Sequence, residues 1–565
     1  WLKHPSQTRF LQVHLHRMVN ARVDLHVGSP LPTATCRRRR SPQISAPPRR
    51  SSWLGTSWIM MADIVGTSVL TYAGVARQLG WVLTVTLITL LSPIAIYTGV
   101  LMSRTRNMLA AQQGHEPLTM GEAARLTLGG HKAATAIYSV VYGFGFLGQA
   151  SYLLVLGQTL QGIFYEYELC LPHAILASCG ICLPFVMSVR HLADSVWLCF
   201  VNLLTILVVL MIVMGQLAHN GRREGVQTFL FAEDLTVFTV FGAITNILLS
   251  YTGHWLYFEL MAEMHEPEEF PRVFSINAPV QVSLYLLVAC WGYYYAGNTA
   301  AGYFLDNLPN GMAYQLASGL LFVHVIVAFL IKNVVLSRFL HGLISPSRVS
   351  KRWSEPGGGR AHAEHVCCAV LVLVACFLMA NVVPFFMEFL GLIGGFLSGP
   401  ISFILPMVFY AVAQRRMSEG VTGFVEENVD VDIDTKAPIG VAKLPGPLAT
   451  SGQPCDPIAV DRPRPTPCRA SAPWSSQALA QEGLCKPLLD VSSTEGGEEL
   501  RTRRRCASAT LGLSRLDLAF FLVVGILTIL TMVVGTYDVL LRIIANLDEF
   551  GPPFSCKVLS RDRVR

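Results

Sequence analysis

Two short polar breaks inside long apolar runs hold the residues best suited to chemistry. The first reads Asp63-Ile64-Val65-Gly66-Thr67-Ser68, the second Ser250-Tyr251-Thr252-Gly253-His254-Trp255. A glycine beside hydroxyl side chains weakens a helix and frees backbone amides and carbonyls. At membrane depth such backbone is tolerated only where it is buried in protein or lines a cavity. Broken helices at corresponding positions of two halves are the sequence signature of a secondary-transporter site. Asp63 lies one turn before the first break and His254 sits on the second. Glu259 and Glu263 follow, four residues apart, so they share a helix face. Ionisable groups inside apolar spans are costly, which makes them functional candidates. Histidine titrates nearest the pH range across which a proton gradient works. Asp63, His254 and Glu259 are therefore the proton-coupling candidates, with Glu259 also a gate residue that Arg77 or Arg272 could pair.

The elements that must carry these groups are membrane helices. The 565 residues are 52% hydrophobic and 14% charged, with mean hydropathy +0.46. Soluble domains carry about 25% charged residues. That shortfall excludes a soluble enzyme, and the apolar content excludes disorder along the whole chain. Eleven stretches reach the roughly 20 apolar residues that a bilayer core demands. They are 57–79, 82–103, 135–163, 173–189, 194–217, 237–262, 276–297, 311–336, 366–386, 389–413 and 516–541. With the N-terminus in the cytosol, the inner segments hold 35 of the 43 Lys and Arg, as the positive-inside rule requires. The net charge of +6 thus follows membrane topology and implies no nucleic acid partner.

The expected class is an all-α polytopic membrane protein. Its breaks fall in the first and sixth helices, five apart, which fits two inverted five-helix repeats plus one extra helix. Residues 1–55 read as a basic disordered cytosolic tail, with translated non-coding sequence the alternative for 1–50. The core follows at 56–413, a disordered cytosolic insertion at 414–515, the eleventh helix at 516–541 and an extracytosolic tail at 542–565. The 14 cysteines are scattered, mostly in apolar or cytosolic stretches, and form no secreted disulfide framework. Cys179 and Cys182 form a C-x-x-C in an apolar helix and are assigned no chemistry. No Walker lysine, metal-ligand spacing or nucleophile elbow stands in the sequence, so neither an enzyme nor a metal or cofactor is expected. Lys332 and His324 in the eighth span read as a snorkelling end residue and a packing histidine.

Several ordered stretches are similar to the amino acid/auxin permease family of the amino acid–polyamine–organocation superfamily. The first is Ala62-Asp63-Ile-Val-Gly66-Thr67-Ser68-Val-Leu70 with Gln78-Leu-Gly80-Trp81. The second is Phe241-Gly242 through Tyr251-Thr-Gly253-His254, then Glu259-Leu-Met-Ala-Glu263 and Pro267-Glu-Glu-Phe270-Pro271. Gly292-Tyr293 through Asn298 and Gly391 through Pro406 resemble helices seven and ten. Where the family often carries Leu-Pro after the first stretch, this chain has Thr71-Tyr72-Ala73.

The resemblance implies the inverted-repeat transporter fold, alternating access and an amino acid substrate. The amides of Gly66, Thr67 and Ser68 would cradle the substrate carboxylate, beside a half-helix N-terminus. Carbonyls around Tyr251, Thr252 and Gly253 would take the ammonium. Sodium coupling in this fold uses hydroxyls on the inner half of helix eight. Here that half reads Val325-Ile-Val-Ala-Phe-Leu-Ile331, so a proton gradient is preferred to sodium. The expected function is proton-driven amino acid import. An auxin-like carrier of indole carboxylates and a non-transporting amino acid sensor are the alternatives. The protein is expected to be an integral, multi-pass component of the plasma membrane or of a vacuolar or lysosomal membrane, with its oligomeric state left open.

Overall fold

A computed structural model describes residues 51–188, 196–222, 224–345, 348, 357–429 and 513–556. Residues 1–50 and most of the insertion expected at 414–515 lie outside them. The chain divides into two compact units, Trp1–Glu419 with Leu511–Arg565, and Gly420–Thr510. The described part of the first is helical; one isolated β-bridge joins Ser51 to Met264.

Nine helices among the described residues are long and apolar enough to cross a membrane. Their outward faces carry exposed Leu204, Met211, Leu522 and Ile526, side chains that suit lipid. The first expected span begins with α1 (Trp53–Ile64) and resumes as a 3-10 turn, Thr67–Thr71, that runs into α2 (Tyr72–Gln113). α2 also contains the second span, and the corner between them is Gly80, with φ 77°. A Cβ there would stand 2.7 Å from the Leu230 carbonyl oxygen. The chain at 229–232 crosses this corner, where Trp81 and Val82 donate amides to Phe229 and Leu230, and Ala232 donates to Leu79. Only glycine permits both the left-handed turn and the close crossing.

α3 (Met120–Leu128) leads into α4 (Gly130–Ile163), α5 (Leu171–Ser188) and α6 (Val196–Asn220). The sixth expected span is α7 (Val237–Ser250), a 3-10 turn at His254–Leu256, and α8 (Tyr257–Glu263). α9 (Phe270–Ala296), α10 (Met312–Ile344) and α11 (Gly358–Val382) follow. α12 (Phe386–Ile393) passes through π-helical turns at Gly394–Ser398 and Pro400–Ile404 into α13 (Leu405–Val429). α14 (Arg515–Leu530), another π turn and α15 (Thr536–Phe550) complete the set. Helix ends run past the apolar stretches: α10 continues from the expected 336 to Ile344, α13 from 413 to Val429, and α15 from 541 to Phe550.

The helices pack in two groups. α2 lies against α7 and α9, with α1 on α9; α4 lies against α3, α5, α10 and α11, and α10 also against α6. The groups meet at several places: α1 lies on α6 as well as on α9, α9 also touches α6, and α12 packs on both α4 and α7.

One disulfide joins Cys170, just before α5, to Cys556, just after α15. Both residues fall in segments expected outside the cytosol, and disulfides persist in oxidising compartments. In sealed membranes of known orientation, a membrane-impermeant maleimide should reach these two sulfurs only after reduction and only from the non-cytosolic face. A Cys170→Ser/Cys556→Ser variant supplies the background. Labelling of the pair from the cytosolic face would reverse the assigned orientation.

Candidate functional site

The first break forms because α1 closes on its own carbonyls and cannot continue. Val65 N–H bonds to Met61, and Gly66 N–H turns back to the Ile64 carbonyl at 3.0 Å. Gly66 itself has φ −115° and ψ −148°, outside the helical region. Thr67 and Ser68 then open the next helical turn, where amides have no intrahelical acceptor.

The second break forms as Tyr251, Thr252 and Gly253 make successive tight turns. Gly253 N–H bonds to Tyr251 O, and Leu256 N–H to Gly253 O. The Ser250 carbonyl is filled from α9 by Tyr285 Oη at 2.8 Å and Gln281 Nε2 at 3.0 Å. Gly253 is where the two breaks meet: a Cβ there would lie 2.6 Å from Ile64 Cδ1 and 3.0 Å from Tyr257.

Both breaks border one cavity with a water-accessible volume of about 60 Å³. Asp63, Gly66, Thr67 and Ser68 line it from the first break, and Ser250, Thr252 and Trp255 from the second. Asp63 Oδ2 accepts from Trp255 Nε1 at 3.0 Å, so the carboxylate ties the two breaks together. α4 contributes Phe144, Gly148, Ser151 and Tyr152, and α12 contributes Leu390 and Ile393. Lys332 of α10 completes the wall. Its Nζ donates to Tyr152 Oη at 3.1 Å and lies 4.4 Å from the centre of that ring. The snorkelling reading of Lys332 is therefore corrected. α10 runs twelve residues beyond it to Ile344, about 18 Å at helical rise, and the ammonium turns into the protein.

Other residues singled out in the sequence stand elsewhere. Tyr251 lines a separate, smaller cavity and donates its hydroxyl to Ile88 O at 2.8 Å. Tyr251 and Gly253 spend their carbonyls on local turns, leaving Thr252 as the member of that trio on the main cavity. The Gly66 amide is likewise engaged, so Thr67 and Ser68 supply the open end of the break. His254 is fully buried on the far side. Its Nε2 lies 3.0 Å from Thr98 Oγ1 and 3.1 Å from the Ala95 carbonyl oxygen, both on α2. Glu259 on α8 is half-buried, near Glu122 and Glu263 and the rings of Tyr138 and Tyr142. It has neither suggested gate partner: Arg272 pairs with Glu269, and Arg77 faces Glu388 and Arg542. His324 packs against α6, its Nδ1 at 2.8 Å from the Asn202 carbonyl oxygen.

One further cluster has the composition of a metal site, Cys170, His173 and Cys556. Its two sulfurs are bonded to each other, so they offer no thiolate.

The match to known proteins covers this helical core. Residues 49–426 fit the family model described as transmembrane amino acid transporter protein. The chain belongs to that family. It is 24% identical over 404 residues to the amino acid transporter ANT1 of Arabidopsis thaliana, covering 67% of this chain and 90% of that protein. It is 20% identical over 410 residues to amino acid permease 4 of the same plant, covering 64% and 86%. Amino acid transporter AVT1D, also from Arabidopsis thaliana, matches at 23% over 355 residues, 61% of each chain. Membership makes the chain an integral multi-pass membrane protein of a transporter family, rather than an enzyme.

Proposed function

We propose that the protein is a secondary active transporter that imports amino acids by alternating access, with protons as the driving ion. The observation that carries this reading is the convergence of both helix breaks on one cavity lined by a single carboxylate, Asp63. The substrate carboxylate meets Thr67 and Ser68 at the open end of the first break. Its ammonium meets the second break at Thr252.

Size supports a small amino acid. A water needs about 10–15 Å³ by the same measure, so a cavity of about 60 Å³ takes a few waters' worth of ligand. An indole ring would require Trp255 or Phe144 to move. The middle of α10 at 325–331 carries no hydroxyl, and Lys332 beside it brings an ammonium to the cavity; both favour protons over sodium.

The test is uptake of labelled small amino acids into proteoliposomes holding the full chain, with and without an inward acid gradient, in sodium-free and sodium-containing media. Accumulation that follows the pH gradient without sodium is expected. Uptake that requires sodium at fixed pH overturns the coupling. Saturable binding with no uptake identifies a sensor, and preferential competition by an indole carboxylate identifies the auxin-like alternative.

A further inference from the structure

We propose that Lys332 is the standing counter-charge of Asp63 and that the transported proton is exchanged when this pair separates. This inference rests on the proton coupling proposed above and adds a residue to it.

Asp63 and Lys332 are the only carboxyl and ammonium side chains among the described residues that line the cavity. Each acts electrostatically on the other. The other titratable groups facing them are Tyr257 from α8, toward Asp63, and Tyr152 from α4, bonded to Lys332. Trp255 supplies an N–H to Asp63 but no charge. With both groups ionised, the cavity carries one negative and one positive charge, and its net charge is zero. A zwitterion entering it leaves that balance unchanged; a proton does not.

The two charges stand on different helices. Asp63 and its Trp255 donor sit at the breaks of the first and sixth spans, next to α2, α7 and α9. Lys332 and its Tyr152 acceptor sit on α10 and α4, which pack on each other. Any movement of the two breaks against α4 and α10 changes the distance between ammonium and carboxylate. The closer they stand, the more Lys332 favours the ionised form of Asp63, because an opposite charge favours the charged form. When they part, a carboxylate left alone in a low-dielectric cavity is costly, and it takes a proton from water. The proton adds to a carboxylate oxygen of Asp63. Lys332 keeps its three hydrogens throughout, one of them on Tyr152, and acts by position alone.

The experiment uses full-length protein in sodium-free proteoliposomes and labelled alanine as the probe. It measures accumulation at several outside pH values, together with substrate exchange at equal pH. In the unmodified protein, coupling of one proton per substrate allows accumulation of up to roughly tenfold per unit of pH gradient. In Lys332→Met the unpaired Asp63 stays protonated, so gradient-driven accumulation disappears while exchange falls less. Lys332→Arg keeps the charge and keeps the pH dependence at a lower rate. Asp63→Asn/Lys332→Met restores a neutral cavity; it reaches the membrane and exchanges substrate with no pH dependence.

A Lys332→Met protein with unchanged pH dependence overturns the inference. So does one whose KM for alanine rises many-fold with the pH dependence intact, because the lysine then holds substrate instead. If Lys332→Met does not reach the membrane, the double variant decides: its absence as well removes the charge-balance argument. Lack of any pH-driven accumulation in the unmodified protein overturns the proposed coupling itself, and this inference with it.

Discussion

Replacing Gly66 with leucine abolishes transport and leaves the protein in the membrane. The position is open toward the cavity. A Cβ built there meets Tyr152 Oη at 3.7 Å and the Asp63 carbonyl oxygen at 3.8 Å, both ordinary contacts. A methyl group therefore fits, and the added atoms of leucine extend into space that is empty rather than into packed helix. That space is about 60 Å³, so the side chain takes the place that substrate needs. Transport should fall on the order of 100-fold or more, the loss expected when a ligand is held out of its working geometry. Gly66→Ala should keep a measurable fraction. Uptake normalised to the amount of protein in the membrane reads both. Near-normal substrate affinity in the leucine variant would mean that the cavity is not the substrate site.

The second large effect belongs to Asp63. Asparagine at this position keeps an oxygen able to accept from Trp255 Nε1, so the link between the two breaks survives, but the side chain can no longer take up a proton. Gradient-driven accumulation, roughly tenfold per pH unit for one proton, should drop to equilibration while exchange continues. His254→Gln should behave differently. The ring is wedged between Thr98 and Ala95 with no face on the cavity, so the loss is expected in the amount of folded protein while the pH dependence stays. If Asp63→Asn still concentrates substrate with unaltered pH dependence, the carboxylate is not the coupling group, and Glu259 is the next to replace.

Glycine and hydroxyl residues at 66–68 and 250–253 announce the breaks because they interrupt local helix formation, and local interruption is visible in a sequence. Asp63 is legible for the same reason: its distance from the break is one turn along the chain. The opposite wall of the cavity is not legible. Tyr152, Ser151 and Lys332 lie in helices with no local irregularity, and which face of α4 or α10 meets the breaks is decided by packing between distant segments. For Lys332 the local signal points the wrong way. The apolar run weakens near 336, but the helix continues to Ile344, which places the lysine well inside rather than at an end. His254 shows the converse. It is adjacent in sequence to the break, yet a single residue's rotation around the turn carries its ring to the other side.

The bond between Cys170 and Cys556 closes most of the polypeptide into a covalent ring. A protease that cuts once inside that ring, for example between α13 and α14, does not release a fragment. The nicked chain still runs as one species of unchanged mass, and separates into two pieces only when a reductant is added. Comparing the same digest with and without reductant therefore reveals whether the protein was cut in its membrane, where loss of the full-length band under reducing conditions alone would pass for degradation.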